Sequence, residues 1–211
     1  MGTRGNNTAT ERLSRLEEQR LIDSVKRGDR EAMRALIDQH QQRLFAFVWR
    51  VLPNRQDAED VCQEALLKAM TAIDSFDPTY RFSTWLFTIA YRLALNSLRR
   101  RNKFVDADID FSTFESTGEP GTAEIAESEE AARLKDAVWR AVDRLNTTQR
   151  LAVTLFYRES HSCQEIAVVM DVPVATVKSH LHRARAKLKD LLEPVFIDDW
   201  QKLSILNAAI A

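Results

Sequence analysis

Lys178, Ser179, His182 and Arg183 are the residues whose types and spacing best suit chemistry. They follow one another at i, i+1, i+4 and i+5, so on a helix they share a face. Cationic, hydroxyl and imidazole side chains in that pattern suit phosphates and base edges, and Ala186 beside them leaves room for a groove to approach. The chemistry they offer is recognition of duplex DNA. A solvated basic face would have a similar composition, so the decision rests on the segment that carries it.

That segment runs from Ser162 to Asp190. Ser162 and Glu165 form an S-x-x-E capping box, which starts a helix. Ile166, Ala167 and Met170 fall on one face of it. Asp171-Val172-Pro173 stops it, because a residue before proline avoids helical geometry, and Pro173 suits the start of the next helix. In that second helix Val174, Val177, Leu181, Ala184 and Leu188 repeat at helical spacing and should be buried. Caps, turn and both faces agree on a helix-turn-helix whose second helix enters the major groove.

Three further groups lie in the first half. In D-A-E-D-V-C-Q-E-A-L-L-K-A-M-T-A-I, Ala58, Val61, Cys62, Ala65, Leu66, Ala69 and Ile73 form the core face. Asp60, Gln63, Glu64, Leu67 and Thr71 occupy the other, an acidic surface with an apolar centre that could dock a basic partner. Asp57 is expected to cap this helix. The loop D-S-F-D-P-T-Y-R-F-S carries Phe76, Tyr80 and Phe82 with Arg81 between the last two. Aromatics with a cation can stack on unpaired bases, although at least one ring, Phe82 first, is expected to fold inward. Ser83 is expected to cap the following helix. There Trp85, Leu86, Ile89, Leu93 and Leu98 face the core, and Arg92, Asn96, Arg99, Arg100, Arg101 and Lys103 make a basic stripe.

Other elements must position these groups. Only five glycines and five prolines in 211 residues favour helices over turn-rich sheets. The sequence predicts an all-α protein of two small helical domains joined by a flexible acidic linker. The expected segments are a disordered tail (1–15), a first helical domain (16–104), the linker (105–132), a helix-turn-helix domain (133–193) and an amphipathic tail (194–211). Helices are expected over Glu17–Arg27, with Asp29 capping the next, and over Met33–Val51, ended by Pro53-Asn54. In the second domain Leu134, Ala137, Val138, Ala141, Val142 and Leu145 make one face. Asn146-Thr147-Thr148 caps a helix with Leu151, Val153, Leu155 and Phe156 inside.

The net charge of −1 hides an asymmetry. The linker holds nine acids and no Lys or Arg; set aside, they leave 30 basic against 22 acidic residues. Two basic modules flanking an acidic connector suit nucleic acid. The linker reaches about 90 Å extended and roughly 30 Å as a coil. That brackets about 17 base pairs, near 58 Å at ~3.4 Å per step.

Several classes are set aside. Cys62 and Cys163 are far apart and in no C-x-x-C, so neither a disulfide framework nor a zinc cluster is expected, and a reducing cytoplasm fits. No apolar run approaches the ~18 residues that span a membrane, and the N-terminus has no signal-peptide core. No phosphate loop, no G-x-S-x-G and no metal-ligand spacing appears, so no enzyme, cofactor or metal is expected. A stand-alone helix-turn-helix regulator is the alternative; it would need a dimerisation helix, and none is evident.

With both modules laid out, the chain resembles the extracytoplasmic-function group of bacterial sigma factors. The blocks D-A-E-D-V-C-Q-E-A-L-L-K-A, F-S-T-W-L-F-T-I-A and C-Q-E-I-A-V-V-M-D-V-P-V-A-T-V-K-S-H-L-H-R-A-R-A-K-L carry the likeness, in that order, over residues 20–192. The resemblance implies a subunit that directs core RNA polymerase to promoters and has no catalytic activity of its own. Asp60, Gln63, Glu64 and Leu67 would dock the β′ clamp helices, with the β subunit a further contact. Phe76, Tyr80 and Arg81 would take up an unstacked base of the −10 element, and Arg92, Asn96, Arg99 and Arg100 would hold the nearby strand. Lys178, Ser179, His182 and Arg183 would read the −35 element. The acidic linker would thread near the RNA path. An anti-sigma factor is a further partner the family habit suggests.

Overall fold

The computed structural model describes residues 4–52, 54–102 and 129–193, and these form eight α-helices in two packed groups. The first group holds α1 (Arg4–Lys26), α2 (Arg30–Trp49), α3 (Arg55–Thr71) and α4 (Phe82–Asn102). The second holds α5 (Glu129–Asp143), α6 (Thr147–Val153), α7 (Cys163–Met170) and α8 (Val174–Leu192). A short 3-10 turn, Ile73–Ser75, follows α3, and a π-helical turn, Thr154–Arg158, follows α6. No helix among the described residues is long and apolar enough to cross a membrane.

Most helix boundaries follow from local chemistry. Asp29 caps α2 by accepting from the backbone N–H groups of Glu31 and Ala32. Gly28 at φ +88° closes the turn before it, a conformation glycine adopts without strain. Asn146 caps α6 through Gln149 N. Three expectations are corrected. The cap of α3 is Asn54, whose side-chain Oδ1 accepts from Gln56 N and Asp57 N; Asp57 lies in the first turn. Ser83 is inside α4, which begins at Phe82, and is buried. And α1 begins at Arg4, where a disordered tail through residue 15 was expected. Between Ala9 and Glu17 nothing breaks a helix, and Glu11, Arg12, Leu13, Arg15 and Leu16 are good helix formers, so the turn pattern propagates backwards through that stretch; Gly5, Asn6 and Asn7 give no such reason for its continuing to Arg4.

Small residues on α3 set the packing of the first group. Ala58, Ala65 and Ala69 are fully buried and let α3 approach α2 and α4 closely. Leu36, Leu44, Phe47 and Val48 of α2 meet Leu86, Phe87, Ala90 and Ala94 of α4, with the Phe47 and Phe87 rings stacked at 4.9 Å. Each such aromatic or leucine contributes about 1.5–3 kcal/mol by leaving water. In the second group Leu151 and Leu155 lie under Ile166, Val169 and Met170 of α7 and Val177, Leu181, Ala184 and Leu188 of α8. Arg150 is also fully buried. Its guanidinium donates to the Asp143 carbonyl at 3.0 Å, tying α6 to the end of α5.

The two groups touch through α4 and α7, and the turn between α6 and α7 reaches α2 and α4. The acidic linker through residue 128 and the tail from residue 194 lie outside the described residues.

Candidate nucleic-acid and protein interfaces

The helix-turn-helix is built as the spacing predicts. The Ser162 hydroxyl accepts from Glu165 N at 3.2 Å, and the Glu165 carboxylate accepts from Ser162 N at 2.8 Å, completing the capping box. Asp171 turns the chain at φ +55°, in the left-handed region that Asp tolerates better than most residues. Pro173 follows as the N-cap of α8, one position before the first helical residue. Val177, Leu181, Ala184 and Leu188 then face inward, Val174, expected with them, is only half-buried at the open start of the helix, and Lys178, Ser179, His182, Arg183 and Ala186 are all exposed. The structure therefore brings the four candidate −35 residues onto one open helix face. Arg183 Nε donates to the Ser179 carbonyl at 3.3 Å, laying that side chain along the face. His180 is half-buried; burial, then the Arg183 charge, pushes its imidazole pKa below the usual value.

The aromatic loop divides between core and surface. Phe82 folds inward as expected. Phe76 does so too, which corrects its place among the exposed stacking residues. It is 4% exposed, edge-on to Phe82 at 5.6 Å and beside Trp85 at 5.5 Å. The apolar cluster of Ile22, Phe82 and Trp85 captures the ring because a Phe has no polar handle to keep it wet. Tyr80 remains 43% exposed. Thr79 N donates to Asp77 Oδ1 at 2.9 Å, which fixes the loop; the Thr79 hydroxyl first, then that backbone bond, hold the Asp77 carboxyl below its usual pKa. Arg81 is half-buried and donates to the Ser160 carbonyl at 2.8 Å.

From this loop α4 extends along the basic stripe. Arg92, Asn96, Arg99 and Arg100 are exposed on α4, and Arg100 stands about 27 Å along the helix from Phe82. A single strand held at Tyr80 would find cations spread over that length.

The acidic face of α3 is open to solvent. Leu67 is 70% exposed, the most open of the large apolar side chains described, with Asp60 and Gln63 exposed and Glu64 half-buried around it. Glu64 pairs with Lys68 at 2.8 Å, and Asp60 accepts from Gln56 at 3.2 Å. Both are exposed same-helix contacts, worth about 0.3–0.5 kcal/mol, and are readily exchanged for a partner's groups.

Sequence reasoning missed the contact between the two helix groups. Glu159, Ser160 and His161 reach the first group from the turn before α7, and Arg43, Thr84 and Phe87 receive them. Glu165 is more than a cap: its second oxygen accepts from the Thr84 hydroxyl at 3.2 Å. A cleft of about 420 Å³ opens beside this contact, between α1, the aromatic loop and the start of α7, with Arg15, Glu18, Tyr80, Arg81, Phe82 and Glu165 in its wall. Among the described residues no group of His, Cys, Asp and Glu is arranged to hold a metal ion. Cys62 lies in the core, where burial and then Glu59 push its thiol pKa up to about 12.

Residues 36–104 match the sigma-70 region 2 family, and residues 135–188 match sigma-70 region 4. The chain is 36% identical over 187 residues to the ECF RNA polymerase sigma-E factor of Escherichia coli (strain K12), covering 85% of this chain and 96% of that protein. It is 35% identical over 191 residues to the RNA polymerase sigma-H factor of Pseudomonas aeruginosa, covering 87% and 97%. Among solved structures it is similar to the sigma factor RpoE in complex with the anti-sigma factor NepR from Bartonella quintana, with a TM-score of 0.60, 25% identity, and coverage of 76% of this chain and 96% of that one. CnrH in complex with the cytosolic domain of CnrY shares the fold, with a TM-score of 0.56, 24% identity, and coverage of 84% and 97%.

Proposed function

This chain belongs to the extracytoplasmic-function (ECF) sigma factors of RNA polymerase, and on that premise we propose how its faces divide the work. The protein directs core polymerase to promoters and binds promoter DNA. In our reading α8 lies in the major groove of the −35 element, with Lys178 and Arg183 on phosphates or guanine edges and Ser179 and His182 against neighbouring bases. The loop ahead of α4 receives an unstacked −10 base against Tyr80. Arg81, Arg92, Asn96, Arg99 and Arg100 neutralise the strand beside it. Phe76 acts beneath this loop as a support, since its ring is in the core.

Polymerase docks on α3 through Leu67, which enters an apolar pocket while Asp60, Gln63 and Glu64 meet basic groups at its rim. The protein supplies binding energy and position, and the bond-making chemistry belongs to the polymerase. It works in the cytoplasm, where polymerase and promoters are. An anti-sigma factor is a fitting regulator, as RpoE of Bartonella quintana has one.

The observation that carries this reading is the exposure of Lys178, Ser179, His182 and Arg183 together on one face of a capped helix-turn-helix. Transcription in vitro tests it, with core polymerase, this protein and a library of fragments from its own genome. Discrete start sites sharing two spaced upstream motifs are expected. Binding of duplex sites without any polymerase-dependent start would instead assign the protein to stand-alone regulators.

A further inference from the structure

The turn between α6 and α7 is built unlike a simple connector. Its π-helical geometry, with Glu159 N donating to the Thr154 carbonyl five residues back, ends in Ser160 at φ +52°. A non-glycine residue in the left-handed region is strained and persists only where its surroundings fix it. What fixes it is the first helix group. Glu159 is 1% exposed and accepts on Oε2 from Arg43 of α2, at 2.7 Å from Nε and 2.6 Å from Nη2. The Ser160 carbonyl accepts from Arg81. His161 is buried with its ring stacked on Phe87 of α4 at 5.6 Å, and Glu165 accepts from Thr84. Behind them Trp139 of α5 lies between Arg50, at 5.0 Å, and Arg158, at 5.3 Å. Much of this seam is polar, the type of interface that opens and closes within one chain.

We propose that the turn Arg158–Ser162 is a latch that holds the free protein in a closed, self-inhibited state and competes with the promoter strand for Arg81. The competition rests on the reading of Arg81 as a promoter contact; the closure does not. Two observations carry it. The Arg81 guanidinium that would meet a −10 strand is held by Ser160. And Ser160 is joined to Lys178 by one eight-residue helix, a short turn and the first turn of α8, a path of no more than about 40 Å. The −35 face is therefore tethered close to the aromatic loop while the latch is engaged, well short of the ~90 Å that the extended linker reaches. Leu67 and the exposed face of α8 stay open in the closed state, so polymerase can dock before the latch is released.

The latch is sensitive to acid. His161 Nδ1 lies 3.1 Å from the Glu159 carbonyl, and Nε2 finds no hydrogen-bond partner. Around the ring stand Glu165 of α7, Arg81 ahead of α4, Arg43 of α2 and the Phe87 ring of α4. Burial, followed by the charges of Arg81 and Arg43 and opposed by Glu165 and the Glu159 carbonyl, pushes the imidazole pKa down to about 4. Opening returns it to about 6.5, so the open state binds the proton. Closure is undiminished above pH 6.5 and is lost as pH falls from there towards 4. Glu165, held below the usual carboxylate range, stays ionised for most of that fall.

Energy transfer between dyes tests the latch in the full chain. The dyes sit at Arg30→Cys on α2 and Lys189→Cys on α8, in a Cys163→Ser background; Cys62 is buried and unreactive. High transfer is expected at pH 7.5. Arg43→Met should shift the closed–open ratio about tenfold or more towards open, because it leaves Glu159 buried and unpaired. Arg43→Lys should keep most of the closure. Lowering pH to 5.5 should shift the parent chain about tenfold. Unchanged transfer in Arg43→Met overturns the latch, and unchanged transfer at pH 5.5 alone removes His161 from it. Affinity for a 12-nucleotide dT strand, read by anisotropy, should rise in Arg43→Met as transfer falls. Falling transfer with unaltered affinity leaves the latch standing and overturns the role of Arg81 as a strand contact.

Discussion

Leu67 is the residue at which surface and fold can be separated most cleanly. At 70% exposure it contributes little to the core, so Leu67→Ala should leave the melting temperature within a degree or so. Its loss should weaken binding of core polymerase about tenfold, roughly 1.4 kcal/mol, as expected for a leucine that leaves water only on docking. Competition binding against the labelled parent protein reads this directly; equal affinity would place the docking surface elsewhere. Lys178 and Arg183 call for a different measurement. Each cation that meets a phosphate adds about 0.9 to the slope of log affinity against log salt, so Lys178→Ala and Arg183→Ala should each lower the slope by about one on promoter duplex. Polymerase binding should be untouched in both. Single residues of this type were legible in the sequence because exposure on a helix follows from its period. Phe76 was not. Its spacing resembled that of Tyr80, and only the cluster of Ile22, Phe82 and Trp85 shows which ring goes inside.

Helices here are set largely by their ends, and the ends differ in how much the sequence reveals. The capping box Ser162–Glu165 and the turn Asp171–Pro173 lie within a dozen residues and specify α7 and α8 without outside help. The start of α3 is less determined, since Asn54 and Asp57 are both good caps. The backbone decides: Asn54 is extended, at φ −116° and ψ 130°, and Asp57 is already helical. Asn54→Ala should therefore cost about 1 kcal/mol in denaturant unfolding. Asp57→Ala should cost no more than about 0.5 kcal/mol, the share a first-turn carboxylate gains from the helix dipole. The reverse order would restore Asp57 as the cap. The backward extension of α1 to Arg4 is a different case: Gly5, Asn6 and Asn7 are poor helix formers and Thr8 with Glu11 has capping-box spacing, so the sequence points to a later start than the helix has.

At the scale of the molecule, what stayed hidden is the seam. Arg43 and Glu159 are 116 positions apart, and Arg81 and Ser160 are 79 apart. No periodicity relates such pairs, and Glu159-Ser160-His161 reads from the sequence as an ordinary polar connector. The seam has a thermodynamic consequence apart from inhibition. The α5–α8 group has the smaller core and buries a smaller fraction of its surface, so it should melt first. Arg43→Met removes its ionic tie to α2 without touching its own core. Calorimetry at pH 7.5 should then show the lower transition fall by about 4–8 °C for each kcal/mol of coupling lost, while the transition of α1–α4 stays in place. A shift of both transitions would mean that Arg43 supports its own helix group rather than the seam. If neither moves, the two groups are thermally independent, and their contact is too weak to hold the molecule closed.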